Sequence, residues 1–165
     1  SFLPPSIAVK KVFEVKEDFH ARFSAKYRTY EYYISLEKNP FSEKFAWQHW
    51  RKTLDVGKMN EACKILFEYE DFGSFAKVGA DNKTNICKIY HANWEQNGNE
   101  LKFTISADRF LRNMVRAIVG TMVEIGSGKL KPADLRNVIE AKNRGVAGTS
   151  APAHALFLVD VGYDF

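Results

Sequence analysis

The stretch FHARFSAKYRTYEYYI (residues 19–34) decides how this 165-residue chain is interpreted. Tyrosine and β-branched residues are enriched in its second half, which is typical of a strand, and we predict a strand over residues 27–36. Period-two alternation assigns one face of that strand to Lys26, Arg28, Tyr30, Tyr32 and Ile34. Packing alone does not require cations beside aromatic rings, so this strand is predicted to do more than fill a core.

Composition and charge narrow the class of protein. Hydrophobic residues make up 45% of the chain and charged residues 27%, as in ordinary globular domains, and the length suits a single domain. The net charge is +4, and residues 1–60 carry all of the excess, with 11 Lys and Arg against 7 Asp and Glu. A basic, aromatic region is compatible with a nucleic-acid surface. Charge alone fits a solvated basic face equally well.

The two cysteines and the apolar runs exclude several classes. Cys63 and Cys87 form no C-x-x-C motif and lie near no clustered histidines, so a metal site is not expected. Two isolated thiols favour a reducing compartment, and we expect a cytoplasmic protein. No apolar run is long enough to span a bilayer, so no membrane partner is expected.

The remaining pattern predicts alternating strands and helices. Asp55 is a candidate N-cap for a helix that continues to about Tyr69. Further strands are predicted over residues 7–15, 85–96, 100–107 and 155–163, and further helices over 110–125 and 132–143. The strands over 85–96 and 100–107 flank the turn sequence NGN and are predicted to form an antiparallel hairpin. Gly120 lies inside the helix over 110–125 and indicates close packing there. The predicted class is α+β: one domain, with an antiparallel sheet and helices packed on one face.

Chemistry-bearing side chains concentrate in two places. On a helix over residues 110–125, Arg109, Arg112 and Arg116 would follow one face, with Arg116 at the edge of the apolar stripe. Tyr30 and Tyr32 share a strand face with Arg28, where a phenol is able to stack on a base or transfer a proton. An alternative needs no functional site: the arginines are solvated, and the tyrosines are strand aromatics that pack under a helix. No phosphate-loop, dinucleotide, zinc-protease or serine-hydrolase motif is present.

Four stretches taken together resemble one family. FHARFSAKYRTYEYYI, DFGSF, FLRNMVRAIVGTMVEIG and ALFLVDVGY resemble, in this order, the carboxyl-terminal half of the tRNA pseudouridine synthase A family. The opening LPPSIAV resembles the crossover from that family's first half. The resemblance extends over essentially the whole chain, and the order of four motifs is more specific than any one of them.

The resemblance implies an isomerase that converts uridine to pseudouridine in the anticodon stem-loop of tRNA without a cofactor. In that family an aspartate attacks the target nucleotide, and the uracil is detached, turned and rejoined through carbon. A base must remove the proton from C5. The target nucleotide has to leave the stack before the enzyme can reach it.

The resemblance also assigns residues. Tyr30 matches the catalytic tyrosine that stacks on the flipped uracil and is the candidate base. Arg116 matches the arginine that pairs with the catalytic aspartate, and Leu156 matches the leucine that lines the pocket. Ala155 stands where the family usually has glycine. The expected RNA contacts are His20, Ala21, Arg22, Phe23, Lys38, Gly79, Ala80, Asp81, Asn82 and Lys83, with Lys83 in place of arginine.

One family motif is missing. The aspartate lies in a G-R-T-D-A-G motif that this chain does not contain. We therefore expect the chain to be the carboxyl-terminal half of a two-domain synthase, inactive alone, with the missing amino-terminal domain and tRNA as partners and a homodimer as the whole protein. Two alternatives remain at this point: an RNA-binding module without catalysis, and a structural or dimerisation domain.

Overall fold

A five-stranded sheet forms the framework of the chain. The computed structural model describes residues 2–50 and 53–164. The strands are β1 (Ala25–Ser35), β2 (Trp47–Gln48), β3 (Ile89–Asn97), β4 (Glu100–Ala107) and β5 (Leu156–Tyr163). The helices are α1 (Val56–Leu66), α2 (Met114–Gly126) and α3 (Asp134–Glu140), with 3₁₀ turns at Gly73–Phe75, Arg144–Val146 and Ala153–Ala155.

Strand β1 lies inside the sheet and has neighbours on both edges. On one edge it pairs with β4, which pairs in turn with β3, and both pairings are antiparallel. On the other edge β5 runs antiparallel beside the first part of β1, and β2 runs parallel beside Ile34 and Ser35. The predicted α+β class is confirmed. The two-residue β2 is the parallel exception among the described strands.

The β3–β4 hairpin closes through a two-residue turn. Asn97 pairs with Glu100, and Gly98 between them has φ +57°, which glycine adopts at little cost. The side chains of β4 alternate between the core and a partly exposed face. Its buried residues are Leu101, Phe103, Ile105 and Ala107. The predicted hairpin is confirmed, although its first strand begins at Ile89 and not at residue 85.

Helices α1 and α2 pack together over the buried face of the sheet. Asn60 fastens α1 to β3, because its side-chain carbonyl accepts the Trp94 amide hydrogen at 2.7 Å and its amide group donates to the Trp94 carbonyl at 2.9 Å. The Trp94 ring stacks on Phe103 with the centroids 4.8 Å apart. The predicted one-sided placement of the helices is confirmed.

Asp55 caps α1 as predicted. Its carboxylate accepts the backbone N–H of Lys58 at 3.0 Å, and this hydrogen bond, together with the Lys58 ammonium group, lowers the pKa of Asp55. The helix ends at Leu66 and not near Tyr69. Phe67, the first residue after the helix, is 48% exposed.

The predicted strand over residues 7–15 is wrong. This segment has no regular secondary structure, and Ile7, Val9 and Val12 are more than half exposed. A strand needs a neighbour that hydrogen-bonds its backbone. None of the strands in the described ranges pairs with this segment, so its apolar pattern has no sheet to join.

Helix α2 begins later than predicted, at Met114. Asn113, directly before it, has a left-handed backbone with φ +72°, which ends any helix arriving from residue 110. The Arg112 carbonyl accepts the backbone N–H of Lys77 at 2.9 Å and so serves a neighbouring loop. Arg109 and Arg112 consequently lie outside the helix. The predicted row of three arginines along one helix face is therefore wrong, and only Arg116 belongs to α2.

The last two predicted elements are present. Asn143, predicted near the end of the helix over residues 132–143, instead accepts the Gly145 N–H and caps the next 3₁₀ turn, so α3 is shorter than predicted. The final predicted strand is β5. Among the helices of residues 2–50 and 53–164, none combines the length and apolar character needed to cross a bilayer.

The backbone of α2 touches the backbone of a loop at Gly120. A Cβ atom there would stand 1.8 Å from the Thr149 carbonyl oxygen, and a Cβ on Gly148 would stand 2.8 Å from the Thr121 nitrogen. The Thr121 hydroxyl accepts the Gly148 N–H at 2.9 Å, which fixes the contact. The packing role predicted for Gly120 is confirmed: loop 147–152 lies directly on α2.

Substitution of Gly120 by alanine tests this contact. Helix propensity alone favours alanine by about 1 kcal/mol. Because the new methyl group overlaps backbone that cannot rotate away, we expect Gly120→Ala to lower the free energy of unfolding by about 1–3 kcal/mol. Chemical denaturation measures this change. Gly57→Ala in α1 is the matched control, since its Cβ would meet only the Asp55 carboxylate, at 3.2 Å. Equal stability of the two variants would contradict the contact.

The left-handed residue before α2 allows a second test. Asn113→Gly and Asn113→Ala both remove the side-chain hydrogen bond to Ser150, but only alanine has a Cβ that resists φ +72°. We expect the alanine variant to be less stable than the glycine variant by about 1 kcal/mol. Thermal and denaturant unfolding of the pair measure the difference. A glycine variant no more stable than the alanine variant would show that position 113 is not held left-handed.

Candidate active site and nucleic-acid surface

A cavity of about 580 Å³ opens where β1, the segment before α2, the start of α2 and the start of β5 meet. Tyr30, Arg116 and Leu156, which were predicted to share one pocket, all line it. The sheet explains this juxtaposition, because β5 pairs with β1 and sets Leu156 opposite Tyr32, two residues from Tyr30. The structure therefore brings the three residues together. Their catalytic roles remain predictions.

Tyr30 presents a partly buried ring to the cavity. Phe110 packs against that ring edge to face, with the centroids 5.2 Å apart and the planes at 88°. No residue of the described ranges hydrogen-bonds the Tyr30 hydroxyl. The contact holds the ring in place and leaves the hydroxyl available to a ligand. Sequence reasoning missed Phe110 because it was counted as the first residue of a helix.

Arg116 is attached to loop 147–152 twice. Its Nε donates to the Ala151 carbonyl at 2.6 Å, and the Ala151 N–H donates to the Arg116 carbonyl at 2.9 Å. Within the described part of the chain no carboxylate lies at ion-pair distance from its guanidinium. The group is therefore oriented on the cavity wall by one nitrogen, while its two terminal nitrogens have no described partner.

Tyr32 fixes the next residue of the same loop. Its hydroxyl donates to the Pro152 carbonyl at 2.9 Å. Burial raises the pKa of Tyr32, and the positive charge of Arg116 opposes part of that rise. Two neighbouring carbonyls, those of Ala151 and Pro152, are thus held by one arginine and one tyrosine.

Ser150 completes the attachment of the loop. Its hydroxyl oxygen accepts from the Asn113 side chain at 2.6 Å and from the Arg144 guanidinium at 2.7 Å. Arg144 also donates to the Ala147 carbonyl at 3.2 Å. Sequence reasoning missed Asn113 and Ser150, because neither residue type marks a site without its spatial partner.

The turn before the closing strand tolerates alanine where the family usually has glycine. Ala155, which stands where the family usually has glycine, is fully buried in the 3₁₀ turn before β5. Its φ is not positive, since the described non-glycine residues with positive φ are Asn113 and Lys142. The methyl group therefore fits without backbone strain. Leu156, next in the chain, reaches the cavity as the predicted pocket leucine would.

The charge of the cavity is positive. Lys77, Arg112 and Arg116 line it, and its described lining includes no aspartate or glutamate. Two other cavities, of about 520 and 570 Å³, carry carboxylates on their walls. These acidic residues are Glu31 and Glu100 in one, and Glu68, Glu70, Asp71 and Glu140 in the other. Of the three, the Tyr30 cavity suits an anionic ligand such as RNA.

Two of the predicted RNA-contacting segments are connected to the neighbourhood of this cavity, one by hydrogen bonds and one along the chain. The turn 20–23 is joined to the segment before α2 by Arg28, which donates to the Arg22 carbonyl and, at 2.8 Å, to the Asp108 carbonyl. The loop 79–83 follows Lys77, which lines the cavity. Sequence reasoning missed Lys77. Its place two residues before a predicted RNA loop was the available signal.

Some cations of the opening stretch have structural partners. Arg28 donates to the carbonyls of Ala25, Asp108 and Arg22, so its guanidinium is already engaged by the backbone. Lys26 forms an exposed ion pair with Asp164 at 3.1 Å. Arg22 keeps a guanidinium that contacts only the face of the Phe23 ring, at 5.7 Å, among described residues.

Lys38 lies apart from the other predicted contacts. It follows the far end of β1, which at 11 residues is about 35 Å long, and its ammonium group sits 4.5 Å above the centroid of the Trp50 ring. The structure therefore does not bring Lys38 to the Tyr30 cavity.

Within the described ranges, the cysteines and other potential metal ligands form no metal site. No group of three or more His, Cys, Asp or Glu residues there has metal-binding geometry. Burial raises the pKa of Cys63 to about 12 and that of Cys87 to about 11, which keeps both thiols protonated at neutral pH.

Comparison with known proteins identifies the family. Residues 62–164 match a family described as tRNA pseudouridine synthase. The tRNA pseudouridine synthase A proteins of Parabacteroides distasonis and Bacteroides fragilis are 56% and 57% identical to this chain, over 98% of it and 64% of their own length. That of Bacillus subtilis is 39% identical over 99% of the chain and 67% of its own length. The chain thus spans about two thirds of these relatives, and it belongs to the tRNA pseudouridine synthase family.

Proposed function

We propose that this chain is the carboxyl-terminal half of a two-domain synthase that isomerises uridine to pseudouridine in the anticodon stem-loop of tRNA. The observation that carries the proposal is the Tyr30 cavity. It combines an aromatic ring, an apolar wall and three cations with no carboxylate among its described lining residues. The described lining of this site supplies no carboxylate nucleophile, and its positive charge is complementary to one that another part of the protein would bring.

The reaction explains why these residue types belong together. The bond between C1′ and N1 of the uridine breaks, the uracil turns, and a bond forms between C1′ and C5. One proton leaves C5 and one is gained at N1, so the atoms balance without a cofactor. An aspartate from the missing half would attack the nucleotide, and covalent catalysis of this kind splits one difficult step into two easier ones.

Arg116 would orient that aspartate. Because its Nε is bound to Ala151, the guanidinium is held in one plane, and the two terminal nitrogens remain for a carboxylate. A planar, permanently charged group suits bidentate pairing better than lysine. In this role Arg116 is a catalytic residue that keeps the aspartate ionised and directed at the sugar.

Tyr30 and Leu156 would bind the uracil. The ring of Tyr30, supported edge-on by Phe110, offers a face for stacking, and its hydroxyl is the candidate base for the C5 proton. Leu156 supplies apolar surface that excludes water from the turning base. Stacking and exclusion of water would offset the few kcal/mol spent in unstacking the nucleotide.

The basic rim would position the tRNA. Arg22 and Phe23 in the turn and the residues of loop 79–83 would contact phosphates and unpaired bases, which fixes the register of the RNA without reading its sequence. Ala21 and Lys38 belong to the same proposal as RNA contacts. Lys38, being remote from the cavity, would meet a more distant part of the tRNA.

The resemblance supports two further statements about the whole protein. We propose that it acts as a homodimer and that it works in the cytoplasm. The buried, unpaired thiols of Cys63 and Cys87 are consistent with a reducing compartment.

Removal of one hydroxyl tests the proposed chemistry. In the protein formed by this chain and its aspartate-bearing half, we expect Tyr30→Phe to slow pseudouridine formation by about 10²-fold or more, because the ring is kept and the base is lost. Tyr33→Phe is the control: the Tyr33 hydroxyl donates to Glu31 at 2.5 Å beside a different cavity. Pseudouridine is measured in an anticodon stem-loop transcript.

The same assay separates the alternatives. This chain alone is expected to bind RNA and form no pseudouridine. Turnover by the chain alone, or full activity of Tyr30→Phe, would contradict the proposed division of the site. An inactive two-domain protein that still binds RNA would favour the non-catalytic RNA-binding module, and one that binds no RNA would favour the structural domain.

The salt dependence of RNA binding tests the basic rim. Each phosphate contact contributes roughly 0.7–0.9 to the slope of log affinity against log salt concentration. We therefore expect Arg22→Ala to weaken binding of unrelated stem-loops about equally and to reduce the slope by about one. Lys129→Ala is the matched control, because Lys129 pairs with Glu124 at the far end of α2, 3.7 Å away. If both variants keep the parental slope, the basic excess is only a solvated face.

A further inference from the structure

A histidine organises the turn that carries Arg22 and Phe23. The Nδ1 atom of His20 accepts the backbone N–H of Arg22 at 3.1 Å and, over a longer distance of 3.4 Å, that of Phe23. The His20 carbonyl accepts the Ser24 N–H at 2.8 Å, and the Ser24 hydroxyl accepts the His20 N–H at 3.0 Å. Nδ1 therefore occupies the place that an aspartate or asparagine oxygen takes in an Asx turn.

The outer polar groups of the same turn are also bound. The Tyr163 hydroxyl at the end of β5 donates to the Ala21 carbonyl at 2.7 Å, and Arg28 donates to the Arg22 carbonyl. The turn is thus tied to the sheet through two carbonyls and closed internally through His20. Its backbone polar groups have little left to offer a ligand.

The side chains of Arg22 and Phe23, in contrast to the hydrogen-bonded turn backbone, are exposed. The Phe23 side chain is 76% exposed. The Arg22 guanidinium lies over its ring at 5.7 Å, and the His20 ring lies 4.4 Å from it, centroid to centroid. An exposed ring with a cation beside it matches the chemistry of an unpaired base and its phosphate.

We propose that His20 is a positioning residue: through Nδ1 it holds Arg22 and Phe23 in the geometry that meets RNA, and it acts without touching RNA itself. The RNA part of this inference rests on the proposed function, whereas the role of His20 in the turn does not. A turn ordered before binding loses less conformational entropy when RNA arrives, so affinity falls if the turn is loosened. The geometry also assigns the imidazole hydrogen to Nε2, since Nδ1 accepts.

Two substitutions separate positioning from direct contact. In asparagine, Oδ1 stands as many bonds from Cα as Nδ1 does in histidine, so His20→Asn keeps the acceptor for the two N–H groups. In glutamine the polar atoms stand as far out as Nε2, so His20→Gln keeps an outward polar group and loses the inner acceptor. Both variants change an exposed turn, and circular dichroism checks that the fold is retained.

Amide hydrogen exchange in the RNA-free chain tests the turn directly. We expect the Arg22 and Phe23 amides to exchange about tenfold faster in His20→Gln than in the parent, and His20→Asn to stay close to the parent. Nitrogen NMR of the parent should show the hydrogen of His20 on Nε2. Equal exchange in all three proteins, or a hydrogen on Nδ1, would overturn the proposal.

RNA affinity then tests the consequence. With an anticodon stem-loop as probe, we expect His20→Gln to raise Kd about tenfold and His20→Asn to change it by less than about twofold. The reverse order would mean that Nε2 contacts RNA and would overturn positioning as the role of His20. A parent chain that binds no stem-loop would instead contradict the proposed RNA surface, and the exchange result would still decide whether His20 holds the turn.

Discussion

The architecture of the site depends on one backbone contact, where α2 meets loop 147–152 at Gly120 and Gly148. A Cβ atom at either point would overlap backbone atoms of the other segment and force the helix and the loop apart. With the loop in place, the carbonyl of Ala151 lies within reach of Arg116, and that of Pro152 within reach of Tyr32. The same loop leads directly into β5 and so determines where Leu156 enters the cavity.

Among the arginines near the turn and the cavity, two groups have different tasks. Arg28 and Arg144 donate to backbone carbonyls or to a serine and hold segments together, while Arg22 and Arg112 extend towards solvent or the cavity. Arg116 combines both tasks, since one nitrogen is fixed and the others are available. A count of positive charges therefore overstates the surface that is available to RNA. What matters is which guanidinium groups the backbone has already engaged.

Much of the fold could be predicted from the sequence, and the errors have physical causes. Alternation in β4 and the Gly98 turn predicted the hairpin, because that information is local. The prediction of a strand over residues 7–15 was wrong, because a strand forms only when a neighbour pairs with it and a segment's own sequence does not reveal that neighbour. The predicted start of α2 was wrong because Asn113 hydrogen-bonds Ser150, a partner 37 positions away that local sequence does not reveal. Family resemblance assigned Tyr30, Arg116 and Leu156 to the pocket, whereas only the three-dimensional structure places Phe110 and Lys77 there.

The cavity has a topological consequence for folding. Its walls combine Tyr30, near the start of the sheet, with Ser150 and Leu156 from the last part of the described chain. Contacts of such long sequence separation form slowly and cooperatively, so the pocket exists only after β5 has docked on β1. A molecule whose last strand is undocked still carries its basic side chains but has no Tyr30 cavity. Under the proposed function, opening of that one strand would separate general attraction to RNA from recognition of the target base.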